Sequence, residues 1–449
     1  MDNTQFDNFG YKQELKRVLT FWDLLIYGMI FMVPIAPFGV FGYIFDASKG
    51  MVALVYLIGM GGMIFSAFSY ARMSEAFPVA GSVYAYAQRG INESVGFMAG
   101  WSILLDYILI PSLLYLVSAA ALTAVFPTVP LWVWLISFIT INTVINVLGI
   151  EFTAMANKII LVLEFIVLAI FIVVGLVALN NGVGSGEGLT MKPLFDSSKF
   201  SLPLIMGAVS IAVLSFLGFD GISTLSEEVK GGPKVVGKAT VAALLIVGVL
   251  FIIQTWIASD LGRGMTFNNL DIAFYTIAGK AGGEWLKNLT ILATAFSWGI
   301  ANALAAQAAI SRVLFSMARD NKLPHILSTI HPKFKTPYIS TIFVAIVSVI
   351  VGLFFKNQIS FLATLVNFGA LVAFLLLHVS VVNHHIVRQK SKHYIKHLIF
   401  PTIGFCIIAY VLSVMSKDAI LLGCSWFVIG LVYLFINTKI FKRKATVDL

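Results

Sequence analysis

Val33-Pro34-Ile35-Ala36-Pro37 and Phe216-Leu217-Gly218-Phe219-Asp220-Gly221 each interrupt an apolar stretch, the first and the sixth along the chain. A helix in lipid must satisfy its backbone groups internally, so mid-span proline and glycine are tolerated where the freed carbonyls and amides face protein, water or a ligand. Broken helices at matching places in two halves point to a small-molecule site near the bilayer midplane. Val33, Pro34, Ile35 and Ala36 in the first break, and Phe216, Gly218, Phe219 and Asp220 in the second, are therefore the first candidate binding residues.

Composition fixes the solvent. Of 449 residues, 59% are hydrophobic and 11% charged, and the mean hydropathy is +0.94. These values exclude a soluble globule and a disordered chain. Apolar runs of about 20 residues, enough to cross the hydrocarbon core, recur at 21–45, 51–75, 95–126, 131–149, 158–180, 202–225, 239–260, 287–311, 338–355, 360–382, 398–415 and 419–437. The reading is an all-α polytopic protein of twelve spans.

The net charge of +9 is a topology signal rather than an attraction for nucleic acid. With the N-terminus inside, 22 of the 30 Lys and Arg residues fall on inside segments and 8 on outside segments, which places both termini in the cytoplasm. Residues 1–20 are polar and basic without a short apolar core and cleavage site, so no removable signal peptide is expected. Spans 1–5 (21–182) and 6–10 (202–385) then run in opposite orientations, as an inverted repeat does. Spans 11–12 (398–437) and a cytoplasmic tail (438–449) complete the chain. Connecting segments at 78–94, 261–287 and 312–337 mix apolar and charged residues and read as surface or half-inserted helices. Cys406 and Cys424 lie in predicted spans and read as packed apolar thiols.

Three carboxylates lie deep in predicted spans: Asp106, Glu164 and Asp220. Asp106 is about 11 residues, roughly 16 Å, into its helix. Insertion of a carboxylate at the bilayer centre costs about 2.5–3.5 kcal/mol, so such residues face the bundle interior and serve a pathway or are capped by hydroxyls. Without equally deep basic partners they must protonate, bind a cation or meet water. Glu164 is assigned to proton coupling, since a buried carboxyl can load and release a proton in each cycle. Asp106, beside Tyr107, is assigned to a substrate ammonium. Pro34 and Pro37 have no N–H, so the first break has few donors for a substrate carboxylate, which favours an amine. Aromatic rings beside the breaks, Phe216 and Phe219 foremost, can wall an alkylammonium through cation–π contacts. Ser297, in the small-residue stretch 293–309 of span 8, faces either the pathway or a packed neighbour. His384-His385 in a Lys-rich stretch reads as solvated. No phosphate-binding loop, hydrolase nucleophile motif or CxxC is present, so no enzyme, cofactor or metal is expected.

Further stretches carry a resemblance: Phe77-Pro-Val-Ala-Gly-Ser-Val-Tyr-Ala-Tyr-Ala-Gln88, Val95 to Tyr107, Ser215 to Glu228, Arg312 to Pro324 and Asn367-Phe-Gly-Ala-Leu-Val-Ala-Phe374. The chain resembles the amino acid, polyamine and organocation permease superfamily, and within it is similar to bacterial putrescine importers. The resemblance implies a leucine-transporter type of fold, five plus five inverted helices with a central site between spans 1, 3, 6, 8 and 10, which Asn367 joins. It also implies secondary active import of a small amine or amino acid across the plasma membrane, commonly coupled to protons. Two positions depart from the family pattern. The importers carry an acid near Gly39, and other members a lysine near Glu164, so ammonium binding and coupling are expected to differ in detail. A proton-independent exchanger is the nearest alternative, followed by a non-transporting receptor or a channel.

Overall fold

The computed structural model describes residues 17–79, 81–126, 128–356, 358–415 and 417–436. The predicted tail 438–449 and residues 1–16 of the N-terminal segment lie outside these residues. The apolar runs are mostly helical where described, apart from the breaks at 33–36 and 217–218 and a few run ends. The elements are α1 (Phe21–Met32), α2 (Pro37–Ala47), α3 (Val52–Ala76), α4 (Ser82–Gly90), α5 (Glu93–Val125), α6 (Leu131–Leu148), α7 (Ile150–Asn180) and α8 (Leu202–Phe216). A 3-10 helix (Phe219–Glu228) follows, then α9 (Pro233–Leu261), α10 (Ala273–Gly282), α11 (Glu284–Phe296), a π-helical turn (Ser297–Asn302) and α12 (Ala303–Arg319). Helices α13 (Tyr338–Phe354), α14 (Ile359–Val382), α15 (Phe400–Ser413) and α16 (Lys417–Phe435) complete the order. Among the described residues nine helical stretches are long and apolar enough to cross a membrane; α1 and α2, bent by 50°, make a tenth if counted as one span. Tyr338–Phe354 and Ile420–Phe435 are shorter apolar helices.

Local chemistry sets the helix starts. Thr20 and Asp23 form a reciprocal capping box at α1, and Asn92 accepts from the Val95 amide at 2.9 Å at the start of α5, satisfying amides that a helix leaves open. Around an apolar core, the outer surface is apolar as well. Ile159, Val162, Leu163, Ile166, Val173 and Val177 of α7 face outward and are exposed, the surface that lipid covers, while Glu164 on the same helix is buried.

Helix α5 is the hub, packing against α4, α6, α12, α13, α14 and α16. Its contact with α16 is a reciprocal clasp. The Trp101 indole N–H donates to the Trp426 carbonyl at 2.9 Å and the Trp426 indole N–H donates to the Trp101 carbonyl at 2.8 Å. The two rings stack at 4.7 Å. A Cβ on Gly430 would lie 2.3 Å from the Trp101 ring, so only glycine lets α16 approach this closely.

The connecting segments differ from expectation. α4, read as a surface helix, is largely buried, and α12 continues to Arg319, so Arg312 lies inside the bundle rather than in a loop. Cys406 and Cys424 are on helices but exposed, facing outward rather than packed inside.

Candidate functional site

The two breaks meet. α1 ends at Val33, whose φ of +53° puts a β-branched residue in the left-handed region, a strained conformation held by its surroundings. α8 ends before Gly218, φ +115°. A Cβ there would lie 2.7 Å from the Phe31 carbonyl oxygen, and one on Gly221 would lie 2.3 Å from the Phe31 ring. Phe31 of α1 is thus seated on the two glycines that open the second break. Across the first break, the Gln254 side-chain amide of α9 donates to the Pro34 carbonyl at 2.8 Å, replacing the donor that a continuous helix would supply. Gln254→Leu strands that buried carbonyl and should destabilise the protein by about 1–3 kcal/mol, read as a lower unfolding midpoint in detergent; an unchanged midpoint would refute the assignment.

Between the breaks is a small cavity, about 20 Å³, room for a water or two. It is lined by Phe31, Met32, Ala36 and Val40, by Ile110, Leu113 and Leu114 of α5, by Leu214, Ser215 and Leu217, and by Trp298 and Asn302 of the π turn. The wall is mostly apolar. Ser215 is engaged with the Tyr56 hydroxyl at 2.9 Å, whereas Trp298 Nε1 and Asn302 Oδ1 are buried and have no hydrogen-bond partner. The ring of Trp298 lies against Gly39, 3.0 Å from where a Cβ would sit.

The π turn is held by side chains from other helices. π-helical turns displace the regular hydrogen-bond ladder and are frequent at functional sites. Here the Asn142 amide donates to the Gly299 carbonyl at 3.0 Å, Asn146 to Leu304 at 3.0 Å, and the Tyr27 hydroxyl to Ala305 at 2.7 Å. In α5, Pro111 leaves the Tyr107 carbonyl without its helical donor, at the level of the cavity.

Each deep acid is buried, and among the described residues none pairs with Lys or Arg. Their surroundings differ. Asp220 accepts from the Tyr107 hydroxyl and from the Gly218 amide, so it caps the 3-10 helix as a carboxylate at a helix start does. Asp106 has an Oδ1 with no hydrogen-bond partner. It lies four residues before Ile110, on the face of α5 that lines the cavity. Gly369 of α14 is packed against it, a Cβ there being 2.8 Å from the Asp106 amide nitrogen. Glu164 sits beside the Ser297 hydroxyl, and neither of its oxygens is in a well-formed hydrogen bond.

Of the remaining predicted residues, Phe216 and Phe219 do not line the cavity. Phe216 packs on Tyr56 and Phe251, and Phe219 on Tyr70 and Phe374. Val33, Pro34 and Ile35 shape the break from behind Ala36, and Asn367 turns its amide toward the Ser210 carbonyl at 3.5 Å. Trp298 was not singled out by sequence, since one indole among many aromatics carries no mark of its own; Asn142, Asn146 and Gln254 did carry one, as amides inside apolar helices. His378 lies in α14, with its ring nitrogens 3.2 and 2.9 Å from the hydroxyls of Ser66 and Ser69.

Beyond the acids, one end of the bundle is closed by polar contacts. Arg312 pairs with Glu228, its second guanidinium nitrogen at 3.3 Å, and Arg319 pairs with Glu227 at 2.9 Å. All four side chains are largely buried. Residues 18–19 pair with 228–230 through backbone hydrogen bonds of 2.8 to 3.0 Å, fastening the approach to α1 onto the end of the 3-10 helix.

Comparison with known proteins gives relatives along nearly the whole chain. The amino acid permease family model matches residues 19–442. The low-affinity putrescine importer PlaP of Escherichia coli is 31% identical over 444 residues, covering 96% of this chain and 95% of PlaP. The branched-chain amino acid permease BcaP of Bacillus subtilis is 25% identical over 456 residues, covering 95% and 94%. The methylthioribose transporter of the same organism is 26% identical over 410 residues, covering 84% and 82%. These relatives are transporters, the described helices are those of a multi-pass membrane protein, and the chain belongs to the amino acid permease family.

Proposed function

We propose that this permease is a secondary active importer of a small primary amine, putrescine-like diamines foremost, coupled to protons through Glu164. The observation that carries the reading is the buried Asp106 Oδ1, which has no hydrogen-bond partner, one turn from the cavity between two broken helices. A buried acid without a partner is costly, and a substrate ammonium would satisfy it. Once the cavity widens beyond its present room for a water or two, a diamine directed from Asn302 toward Asp106 would rest its apolar stem on Ile110 and Leu113. Asp220, already capped by Tyr107 and Gly218, serves this reading by shaping the break. Val33 to Ala36, Phe216, Gly218, Phe219, Ser297 and Asn367 frame the site or hold its geometry. Glu164 faces the Ser297 hydroxyl at the π turn, which supports a coupling role in which its proton would bear on the helix that walls the cavity.

The architecture we infer has twelve spans in the plasma membrane. Repeats 21–182 and 202–385 are inverted relative to each other, α15 and α16 are appended, and both termini are cytoplasmic. Contacts that gather segments assigned to one side support their grouping on a common side: Lys158 with Asp23 at 2.7 Å, Lys322 with Glu93 at 3.2 Å, and residues 18–19 with 228–230. Transport would proceed by alternating access, with substrate binding between the breaks.

A second reading, import of an amino acid with an aliphatic side chain, is favoured by one feature. Trp298 Nε1 is an unpartnered donor in an apolar wall, which suits a carboxylate oxygen better than an ammonium. Uptake of radiolabelled putrescine into proteoliposomes under an inward proton gradient, with unlabelled aliphatic amino acids as competitors, separates the two. Saturable putrescine uptake that resists competition and is lost in Asp106→Asn is the expected result. Uptake of an amino acid but not of putrescine, unaffected by Asp106→Asn, overturns the amine assignment.

A further inference from the structure

Where α14 turns into α15, a groove of about 350 Å³ opens on the outside of the bundle, lined by His378, Val379, Val382, Asn383, Val387, Pro401, Thr402 and Phe405. Two of its polar members are turned inward. His378 faces Ser66 and Ser69, and the Asn383 amide donates to the Gly90 carbonyl at 2.6 Å. Apart from Thr402, what the groove presents outward is therefore hydrocarbon, on two helices of membrane-crossing length and hydropathy.

The mouth of the groove is chemically different. The turn joining the two helices carries Lys390, Lys392 and Lys396, all exposed. Among the described residues none of the three has a carboxylate partner. The chain has no acidic residue between Asp320 and Asp418, so the positive field here is uncompensated along this whole segment. Arg388 fixes the turn by donating to the carbonyls of Arg89 and Ile91. Tyr394 and Ile395, also exposed, place an aromatic and an aliphatic side chain at the same level, as residues at a membrane–water boundary do.

An apolar cleft between two helices of membrane-crossing length, whose connection carries three exposed lysines without carboxylate partners, matches one occupant by shape and charge. The geometry points to a binding site for an anionic phospholipid, with an acyl chain between α14 and α15 and the phosphate on Lys390, Lys392 and Lys396. Basic pockets between membrane helices recognise anionic headgroups in this way. The site lies on α14, which also carries Gly369 against Asp106, so an occupied groove braces the helix that backs the candidate substrate site.

The test is native mass spectrometry of the full-length protein, extracted from vesicles of equal parts phosphatidylglycerol and phosphatidylcholine. The wild type should retain phosphatidylglycerol preferentially. Lys390→Gln/Lys392→Gln/Lys396→Gln should lower that preference about tenfold or more, and the matching triple arginine variant should keep it. Val382→Trp, which fills the groove while leaving the charges in place, should also lose the retained lipid. Each variant must remain monodisperse, which the exposed lysine positions allow. Equal retention of both lipids by the wild type, or unchanged phosphatidylglycerol retention in the triple glutamine variant, overturns the proposal. So does a lipid-free dimer abolished by Val382→Trp, which would make a second copy the occupant.

Discussion

Glu164→Gln should reduce uptake driven by an inward proton gradient to the leak level in proteoliposomes, while exchange of labelled for unlabelled substrate without a gradient persists. Glutamine keeps the size of the side chain and a polar group for Ser297, but it cannot take up or release a proton. A loss confined to gradient-driven accumulation therefore isolates coupling from folding and from substrate binding. The same split should appear in the pH dependence: the wild type responds to external acidification, and the variant does not. Full gradient-driven accumulation by Glu164→Gln would remove Glu164 from the mechanism. Loss of exchange together with accumulation would make it a binding or structural residue.

The second large effect is expected at Arg312. Its guanidinium pairs with Glu228 and donates to the Ala308 carbonyl at 2.8 Å, with both charges almost out of solvent. Removing one member of such a pair leaves the other charge buried without compensation, a loss of about 3–5 kcal/mol, whereas removing both is far milder. Arg312→Gln should accordingly lower the unfolding midpoint sharply, and Arg312→Gln/Glu228→Gln should recover most of the loss. Equal destabilisation in the single and double variants would mean that the arginine acts through packing alone.

The membrane class, most of the apolar helices and the family are legible because they depend on properties that sequence carries directly: apolar length, mid-span proline and glycine, and motif stretches. The meeting of the two breaks was legible as an idea but not as a contact, because nothing in Gly218 or Gly221 announces that Phe31 is their partner. The three deep acids were found for a sound reason, the cost of a charge in lipid. Their different surroundings were hidden, since Tyr107 reaches Asp220 from another helix. Phe216 and Phe219 show the limit most clearly. Both flank the break, yet helix rotation turns one toward Tyr56 and the other toward Tyr70, and chain position alone does not fix that rotation. Arg312 was read into a loop because a charged residue ends an apolar run, whereas its partner Glu228, 84 residues away, lets the helix carry it inward.

The tryptophan clasp bears on how the protein is made. Trp101 and Trp426 are 325 residues apart in the chain, so neither indole can reach its acceptor until both α5 and α16 are in place. Arrival of Trp426 closes two hydrogen bonds and a ring stack at once. The clasp thereby ties one of the last described helices to the central one.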